Sequence, residues 1–249
     1  MKTKNKIHTA LFIMLSVSTL NATSQSGEAV EKPSVSYKVT ADIVSSYIWR
    51  GTIGSKDPSF QPTLALIYGG LEVGVWGSTN FLGTYKEVDP YIAFTAKSLK
   101  FMLTDYNWTF ANSSYFNYKK DETDHILEGS IAFLGTENFP LSIAVNTMFY
   151  GADKKYTDSE TSTAPKQNFS TYVELGYTVG HSYFFAGLTP SNGYYGAGYG
   201  VVDGFAVVNL GLTYSKDMKI TSDFSIPLKG TLYVNPQAES IHFVVGITL

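Results

Sequence analysis

Hydrophobic and polar residues alternate along much of the chain, and the alternation is clearest between Ser240 and Leu249. On this stretch one face is apolar throughout and carries Ile241, Phe243, Val245, Ile247 and Leu249. A period of two is the period of a β-strand, because successive side chains of a strand point to opposite faces. A final strand of this kind would leave a sticky edge without a partner, so we expect it to pair with the first strand and close a barrel.

The same alternation predicts about 12 strands over the whole chain. The predicted strands are residues 37–49, 60–68, 71–81, 87–96, 99–110, 125–134, 141–150, 169–179, 182–188, 205–220, 226–235 and 240–249. The connections alternate between very short ones and long polar ones, the longest being residues 151–167. Short turns at one rim and long loops at the other are typical of outer-membrane barrels. We therefore predict an all-β fold, a closed antiparallel transmembrane β-barrel with short periplasmic turns and longer extracellular loops.

Composition favours this interpretation over a soluble β-sandwich, which would show similar alternation. Charged residues make up only 16% of the chain and aromatic residues 15%, which fits a barrel with aromatic girdles. The formal net charge of −3 gives no support for nucleic-acid binding. The chain contains no cysteine, so disulfides, thiol nucleophiles and cysteine-based metal sites are excluded.

The N-terminus has the pattern of a secretory signal. Three lysines precede an apolar run at residues 10–20, and Ala22 and Ser24 offer the small residues of a cleavage site. A permanent membrane anchor would need a longer apolar run. The predicted organisation is a signal peptide at residues 1–24, a short periplasmic tail at residues 25–35 and a barrel at residues 36–249, located in the bacterial outer membrane.

Charged residues in the predicted strands occupy positions that can face the lumen. A lysine or arginine on the lipid face at mid-membrane would cost about 2–4 kcal/mol. The predicted pore-lining residues are Lys38, Asp42, Arg50, Glu72, Glu87, Asp89, Asp105, Glu128, Glu174 and Lys229. Acids outnumber bases in this set, which predicts a mild preference for cations if the lumen is open. Arg50, Glu87 and Asp89 fall near the exterior end, where we expect either a constriction or a plug of salt bridges.

Four short motifs lie between Ser45 and Tyr91. They are Ser46-Tyr47-Ile48-Trp49-Arg50-Gly51, then Gln61, then Gly74-Val75-Trp76-Gly77-Ser78, then Glu87-Val88-Asp89-Pro90-Tyr91. Together they resemble the opening strands of the TorF-type porin family. Members of that family are predicted outer-membrane barrels of poorly defined function. From Leu99 onward only the architecture agrees. The resemblance implies passive transport and supplies no catalytic residue.

Three functions stay open on the sequence. The favoured one is a porin or channel for passive diffusion of small solutes or ions, because most strands carry polar positions for a lumen. The second is a non-conducting surface barrel, an adhesin or scaffold that acts through polar loops such as residues 111–124 and 151–167. The third and least favoured is an outer-membrane lipid-modifying enzyme built on His125 with Ser113 or Ser114, for which no spaced triad is evident.

The predicted partners follow from the predicted location. They are outer-membrane lipid and lipopolysaccharide, the barrel assembly machinery through Ile241–Leu249, and small solutes. Nucleic acid is not among them. We predict no catalytic residue, no metal site and no cofactor, because the acidic runs of the long loops resemble ordinary solvated loop charges.

Overall fold

The computed structural model describes residues 33–108, 114–120, 122–155, 166–190, 193–195 and 204–249. The strands are β1 Val35–Val44, β2 Tyr47–Trp49, β3 Thr52–Ser55, β4 Ser59–Tyr68, β5 Leu71–Asn80, β6 Lys86–Ala96, β7 Leu99–Tyr106, β8 Ile126–Phe133, β9 Leu141–Gly151, β10 Lys154–Lys155, β11 Lys166–Gln167, β12 Thr171–Val179, β13 Ser182–Thr189, β14 Ala206–Lys219, β15 Ser225–Asn235 and β16 Ser240–Thr248. Within these ranges, no helix is long and apolar enough to span a membrane. The predicted signal peptide at residues 1–24 lies outside the described residues, as does most of the predicted tail.

Twelve of the strands form a closed antiparallel barrel. Their order is β1-β16-β15-β14-β13-β12-β9-β8-β7-β6-β5-β4. The closing pair joins the last strand to the first, with Asp42 opposite Thr248, Ile43 opposite Ile247 and Val44 opposite Gly246. The predicted all-β fold, the closed antiparallel barrel and the number of strands are therefore confirmed.

The two rims of the barrel differ in the length of their connections. At the short-turn rim, consecutive wall strands are joined by residues 69–70, 97–98, 134–140, 180–181 and 220–224. At the long-loop rim they are joined by residues 45–58, 81–85, 107–125, 152–170, 190–205 and 236–239. The predicted loop at residues 151–167 is described only at its two ends, where β10 pairs with β11.

An apolar belt surrounds the outside of the barrel. Each of the 12 wall strands contributes at least one exposed apolar side chain to it. One member from each strand, in chain order, is Val39, Leu66, Val73, Ile92, Leu103, Ile131, Val145, Leu175, Phe184, Leu210, Leu232 and Phe243. Inward positions of the same strands bury polar side chains such as Gln61, Asn146 and Thr213. The barrel is thus apolar outside and polar inside, the reverse of a water-soluble protein.

The first predicted strand, residues 37–49, is wrong at its C-terminal end. The wall strand β1 ends at Val44, and Ser45 makes the last contact with β16 by accepting a hydrogen bond from the backbone of Val245 at 3.0 Å. The chain then turns into the lumen, where Tyr47 and Ile48 are both buried. Two consecutive buried side chains do not fit a wall strand, whose alternate side chains face outward.

The segment that enters the lumen is a β-hairpin, and we call residues 45–58 the inward hairpin. Its strands β2 and β3 pair Trp49 with Thr52. The two residues between them, Arg50 and Gly51, have φ values of 49° and 81°. Positive φ at both central positions is the requirement of the tight hairpin turn that matches the twist of the strands. The predicted loop at residues 50–59 is therefore replaced in part by ordered β-structure.

Candidate functional site: the barrel lumen

The inward hairpin crosses the lumen near the long-loop rim and contacts several sides of the wall. The Tyr47 ring lies 5.6 Å from the ring of Trp76 in β5. At the tip, Asn235 of β15 donates a hydrogen bond to the carbonyl oxygen of Gly51 at 3.1 Å. A Cβ at position 51 would overlap the carbonyl oxygen of Val208 in β14. Only glycine fits this close approach between the hairpin tip and the wall.

Arg50 fixes the hairpin tip to β8. Its Nη1 and Nη2 atoms donate to the two carboxylate oxygens of Glu128 at 2.6 and 2.8 Å. The Glu128 side chain is only 1% exposed, and it also accepts from the hydroxyl of Tyr106 at 3.0 Å. A bidentate pair with this additional hydrogen bond is the geometry in which a buried ion pair is best compensated.

Aromatic rings enclose the Arg50 guanidinium. Its central carbon lies 4.7 Å from the ring centre of Trp49, 4.8 Å from Tyr172 and 5.5 Å from Tyr195. The Tyr195 hydroxyl accepts from Arg50 and donates to Glu128. Cation–π contacts of this kind gain strength when the cation is shielded from water. The arginine is thus held by one carboxylate and three rings.

The rings belong to a larger aromatic layer across the lumen. Its members are Trp49, Tyr106, Trp108, Tyr172, Tyr194 and Tyr195, and neighbouring ring centres lie 5.3 to 6.5 Å apart. They come from the inward hairpin, from β7 and the residues after it, from β12, and from the connection between β13 and β14. Buried apolar residues of the wall, Ile126, Met148 and Val208, pack against them. The hairpin and this layer together occupy part of the lumen at the long-loop end.

A chamber of about 320 Å³ lies between the inward hairpin and the short-turn rim. Nine rings line it: Tyr47, Trp49, Trp76, Tyr91, Tyr106, Tyr172, Tyr183, Phe185 and Tyr233. Seven of the predicted pore-lining residues also line it: Lys38, Asp42, Arg50, Asp89, Glu128, Glu174 and Lys229. The volume lies at the lower end of the range of small-molecule pockets.

Charged pairs lie at the end of the chamber near the short-turn rim. Lys229 donates to Asp42 at 2.6 Å across the closing seam, and Lys38 lies 4.0 Å from Glu72. Glu72 is buried and accepts from the Tyr91 hydroxyl at 2.6 Å. Lys100 is not among the predicted pore-lining residues. It is also buried on this side of the wall, where its charge interacts with those of Glu72 and Lys38. The lumen therefore contains four basic residues, one more than predicted.

Glu87 and Asp89 lie side by side on β6, away from Arg50. Glu87 accepts from the Tyr85 hydroxyl at 2.7 Å, and Asp89 accepts from the backbone of Asn107 at 3.0 Å. The expected pairing of Arg50 with Glu87 and Asp89 is wrong, because the arginine pairs with Glu128. The lumen therefore contains a buried salt bridge, with a different acid from the ones expected.

The prediction that Asp105 lines the pore is wrong, because this residue lies on the outer face of the barrel. Leu99, Phe101 and Leu103 of the same strand are exposed, whereas Lys100 and Thr104 are buried. Alternation along β7 therefore directs position 105 outward. Its carboxylate accepts from the Tyr118 hydroxyl at 2.7 Å. Burial raises the pKa of this hydroxyl and the bond to Asp105 raises it further, so Tyr118 remains a hydrogen-bond donor.

His125 is buried beside Asp105 and has partners at both ring nitrogens. Nδ1 lies 2.7 Å from Asp105 Oδ1, and Nε2 contacts the carbonyl oxygen of Tyr115. The rings of Tyr115 and Tyr118 cover the imidazole. The geometry leaves His125 no free nitrogen to activate a serine. Ser113 lies outside the described residues, and Ser114 is exposed.

Metal ligands do not cluster in the described ranges, where no group of three or more His, Asp or Glu side chains could hold an ion. No protein-family model matches the chain, and no curated protein shows a significant match to it. The resemblance to the TorF-type porin family therefore stays a prediction. Interpretation of function rests on the lumen and on the outer surface of the barrel.

Proposed function

We propose that this chain is a bacterial outer-membrane barrel that acts as a porin for passive diffusion of small solutes or ions. The observation that carries the proposal is the combination of a closed barrel, an apolar belt on all 12 wall strands and a polar lumen. In water so large an apolar surface would cause aggregation, whereas in a bilayer it is the stable arrangement. Outer-membrane lipid and lipopolysaccharide are then the molecules in contact with the belt and the rims.

Conduction in this proposal requires the inward hairpin to move. Its tip is held by the Arg50–Glu128 pair, by the surrounding rings and by the bond from Asn235. These contacts are side-chain contacts and one backbone acceptor, so the hairpin can leave the lumen without breaking the ladder of the wall strands. The closed arrangement is then one of two states of a gated pore.

The hairpin also supports a second candidate function. A lumen crossed by a buried ion pair and an aromatic layer suits a non-conducting barrel that acts through its long loops, as an adhesin or scaffold. The two candidates differ in a measurable property, because only the porin passes current in a planar bilayer.

Protein reconstituted in a planar bilayer should give single-channel steps with a weak preference for cations. The acids inside the barrel are Asp42, Glu72, Glu87, Asp89, Glu128 and Glu174, and the bases are Lys38, Arg50, Lys100 and Lys229. Charged groups that line a pore attract the opposite ion, but the acid excess is small, so the preference is weak. Reversal potentials under a KCl gradient measure the preference.

Two lysine variants provide the matched control for this measurement. Lys38→Gln removes a base from the chamber and should shift the reversal potential further toward cations. Lys97→Asn removes an exposed base from the turn between β6 and β7 and should leave it unchanged. Anion preference in the unaltered protein would contradict the charge assignment. A complete absence of steps would favour the non-conducting barrel.

The long-loop rim should face the cell exterior, as in other barrels of the outer membrane. Because the chain has no cysteine, single cysteines can be labelled selectively. Lys120→Cys, at an exposed position of the long-loop rim, should react with a membrane-impermeant maleimide on intact cells. Glu137→Cys, at an exposed position of the short-turn rim, should react only after the outer membrane is opened. The reverse labelling pattern would show that the barrel has the opposite orientation.

A further inference from the structure

Glu174 is a carboxylate inside the barrel that has no ion pair in the described structure. It accepts hydrogen bonds from the hydroxyls of Tyr172 and Tyr183 at 2.7 and 2.9 Å. Among the described residues, no lysine, arginine or histidine nitrogen lies within 4.0 Å of it. The nearby Arg50 is already paired with Glu128. A carboxylate removed from bulk water without a cation is costly unless a cation joins it.

Asn209 carries a buried carboxamide beside the same tyrosine hydroxyl. The side chain is 3% exposed, and its Oδ1 is enclosed by protein and has no hydrogen-bond partner in the described structure. Its Nδ2 donates to the Tyr172 hydroxyl at 2.9 Å. That hydroxyl already donates its single proton to Glu174, so exchanging Oδ1 and Nδ2 would place two acceptors against each other.

Glu174 therefore accepts from two tyrosine hydroxyls but has no ion pair in the described structure, and the amide of Asn209 bonds to one of the same hydroxyls.

Aromatic rings continue from Glu174 along the chamber. Tyr183, which donates to Glu174, stacks on Phe185 with ring centres 5.7 Å apart, and Phe185 lies 5.6 Å from Tyr233. All three rings line the chamber. Ring faces attract cations and also pack against apolar or aromatic groups. The chamber volume of about 320 Å³ admits a molecule with one ring and a short side chain.

We propose that the chamber binds a small organic cation, with an ammonium group at Glu174 and an apolar or aromatic body on the rings of Tyr183, Phe185 and Tyr233. An ammonium group supplies the positive charge that Glu174 lacks and donates charge-assisted hydrogen bonds to the carboxylate. A carboxylate ligand would be repelled by Glu174, and a neutral alcohol would donate a hydrogen bond without adding the charge. This inference rests on the proposed function in taking the chamber as the path of the solute, but it requires binding alone.

Three ligands of one shape test the proposal in purified, detergent-solubilised protein. Benzylamine carries the cation, benzyl alcohol is its neutral counterpart and benzoate carries the opposite charge. Calorimetry should show benzylamine bound at least about tenfold more tightly than benzyl alcohol, the size expected of a charge-assisted hydrogen bond. Benzoate should not bind. Equal binding of the amine and the alcohol, or tighter binding of benzoate, would overturn the proposal.

Variants then locate the site. Glu174→Gln keeps the size of the side chain and should abolish the preference for benzylamine over benzyl alcohol. Glu122→Gln removes an exposed loop acid and should leave the preference intact. Retention of the preference in Glu174→Gln would place the cation elsewhere and refute the site. Because the ligand series is first compared in the unaltered protein, the proposal remains testable if Glu174→Gln does not fold.

The outcomes separate this inference from the proposed porin function. Selective benzylamine binding by a barrel that passes no current would refute the porin and support the binding chamber. A conducting barrel that binds the amine and the alcohol equally would do the opposite.

Discussion

Replacing Arg50 with methionine should open the barrel, with more frequent and longer single-channel steps than in the unaltered protein. The substitution leaves Glu128, whose side chain is 1% exposed, without its cation inside the lumen. Removing one partner of a buried pair costs about 3–5 kcal/mol, and the contacts of the guanidinium with three rings are lost as well. Moving the hairpin out of the lumen lets water reach Glu128, so the open state becomes the favourable one.

A double variant distinguishes release of the hairpin from general damage. In Arg50→Met with Glu128→Leu neither charge remains, and apolar replacement of a whole buried pair is often neutral or stabilising. The double variant should therefore close again. Lys119→Gln breaks the exposed pair with Glu122, whose side chains are 73% and 61% exposed, and should not alter conductance because exposed pairs contribute little.

Planar-bilayer recordings and swelling of liposomes in small sugars and amino acids measure the effect. Unchanged conductance in Arg50→Met, with the barrel still folded, would show that the arginine does not hold the lumen closed. Equal opening in the single and double variants would show that loss of the arginine, and not the stranded charge, is the cause.

The wall strands could be predicted from the sequence, because one physical rule determines both the sequence pattern and the two faces of each strand. A wall strand places lipid on one side and the lumen on the other, so its side chains alternate with a period of two. β16 shows the rule without interruption, and its pairing with β1 is as predicted. The inward hairpin does not obey the rule, because both faces of a hairpin inside a lumen are enclosed by protein. In the sequence pattern, Tyr47 and Trp49 continue the alternation of β1, although the chain has already left the wall at Ser45.

The assignment of β7 failed for a different reason. Its residues from Leu99 to Leu103 are apolar except Lys100, so hydrophobicity alone does not choose a face. The cost of a lysine in lipid would have chosen it, because Lys100 must face inward and Asp105, at the opposite parity, must then face outward. Lys100 was thus the single residue of β7 that indicated which face of the strand points into the lumen.

The contacts between side chains inside the lumen could not be predicted from the alternation of hydrophobic and polar residues. Arg50 and Glu128 are 78 residues apart, and their meeting depends on the direction in which the inward hairpin enters the barrel. The hydroxyl of Tyr172 similarly joins Glu174 on its own strand to Asn209 on β14. Alternation places such residues on the lumen side, but it contains no information about which of them meet across the barrel.

Deleting residues 243–249 should abolish the folded barrel. These residues contain every β16 position that pairs with β1, and several that pair with β15. Their loss leaves two strand edges with unpaired backbone groups, each of which costs several kcal/mol inside a bilayer. It also removes the partner strand across which Lys229 reaches Asp42. We therefore expect no recovery of folding by local rearrangement.

A side-chain variant at the same strand provides the control. Phe243→Ala removes a side chain that is 67% exposed on the apolar belt and keeps the backbone of β16 complete. It should weaken contact with lipid, and with the assembly machinery if that machinery binds Ile241–Leu249, yet retain a barrel that migrates faster on gels before heating than after and resists protease. The deletion should lose both properties. If the deletion variant still gives a heat-modifiable, protease-resistant form, β16 does not close the barrel. If Phe243→Ala alone loses that form, a single side chain determines folding more than the backbone pairing does.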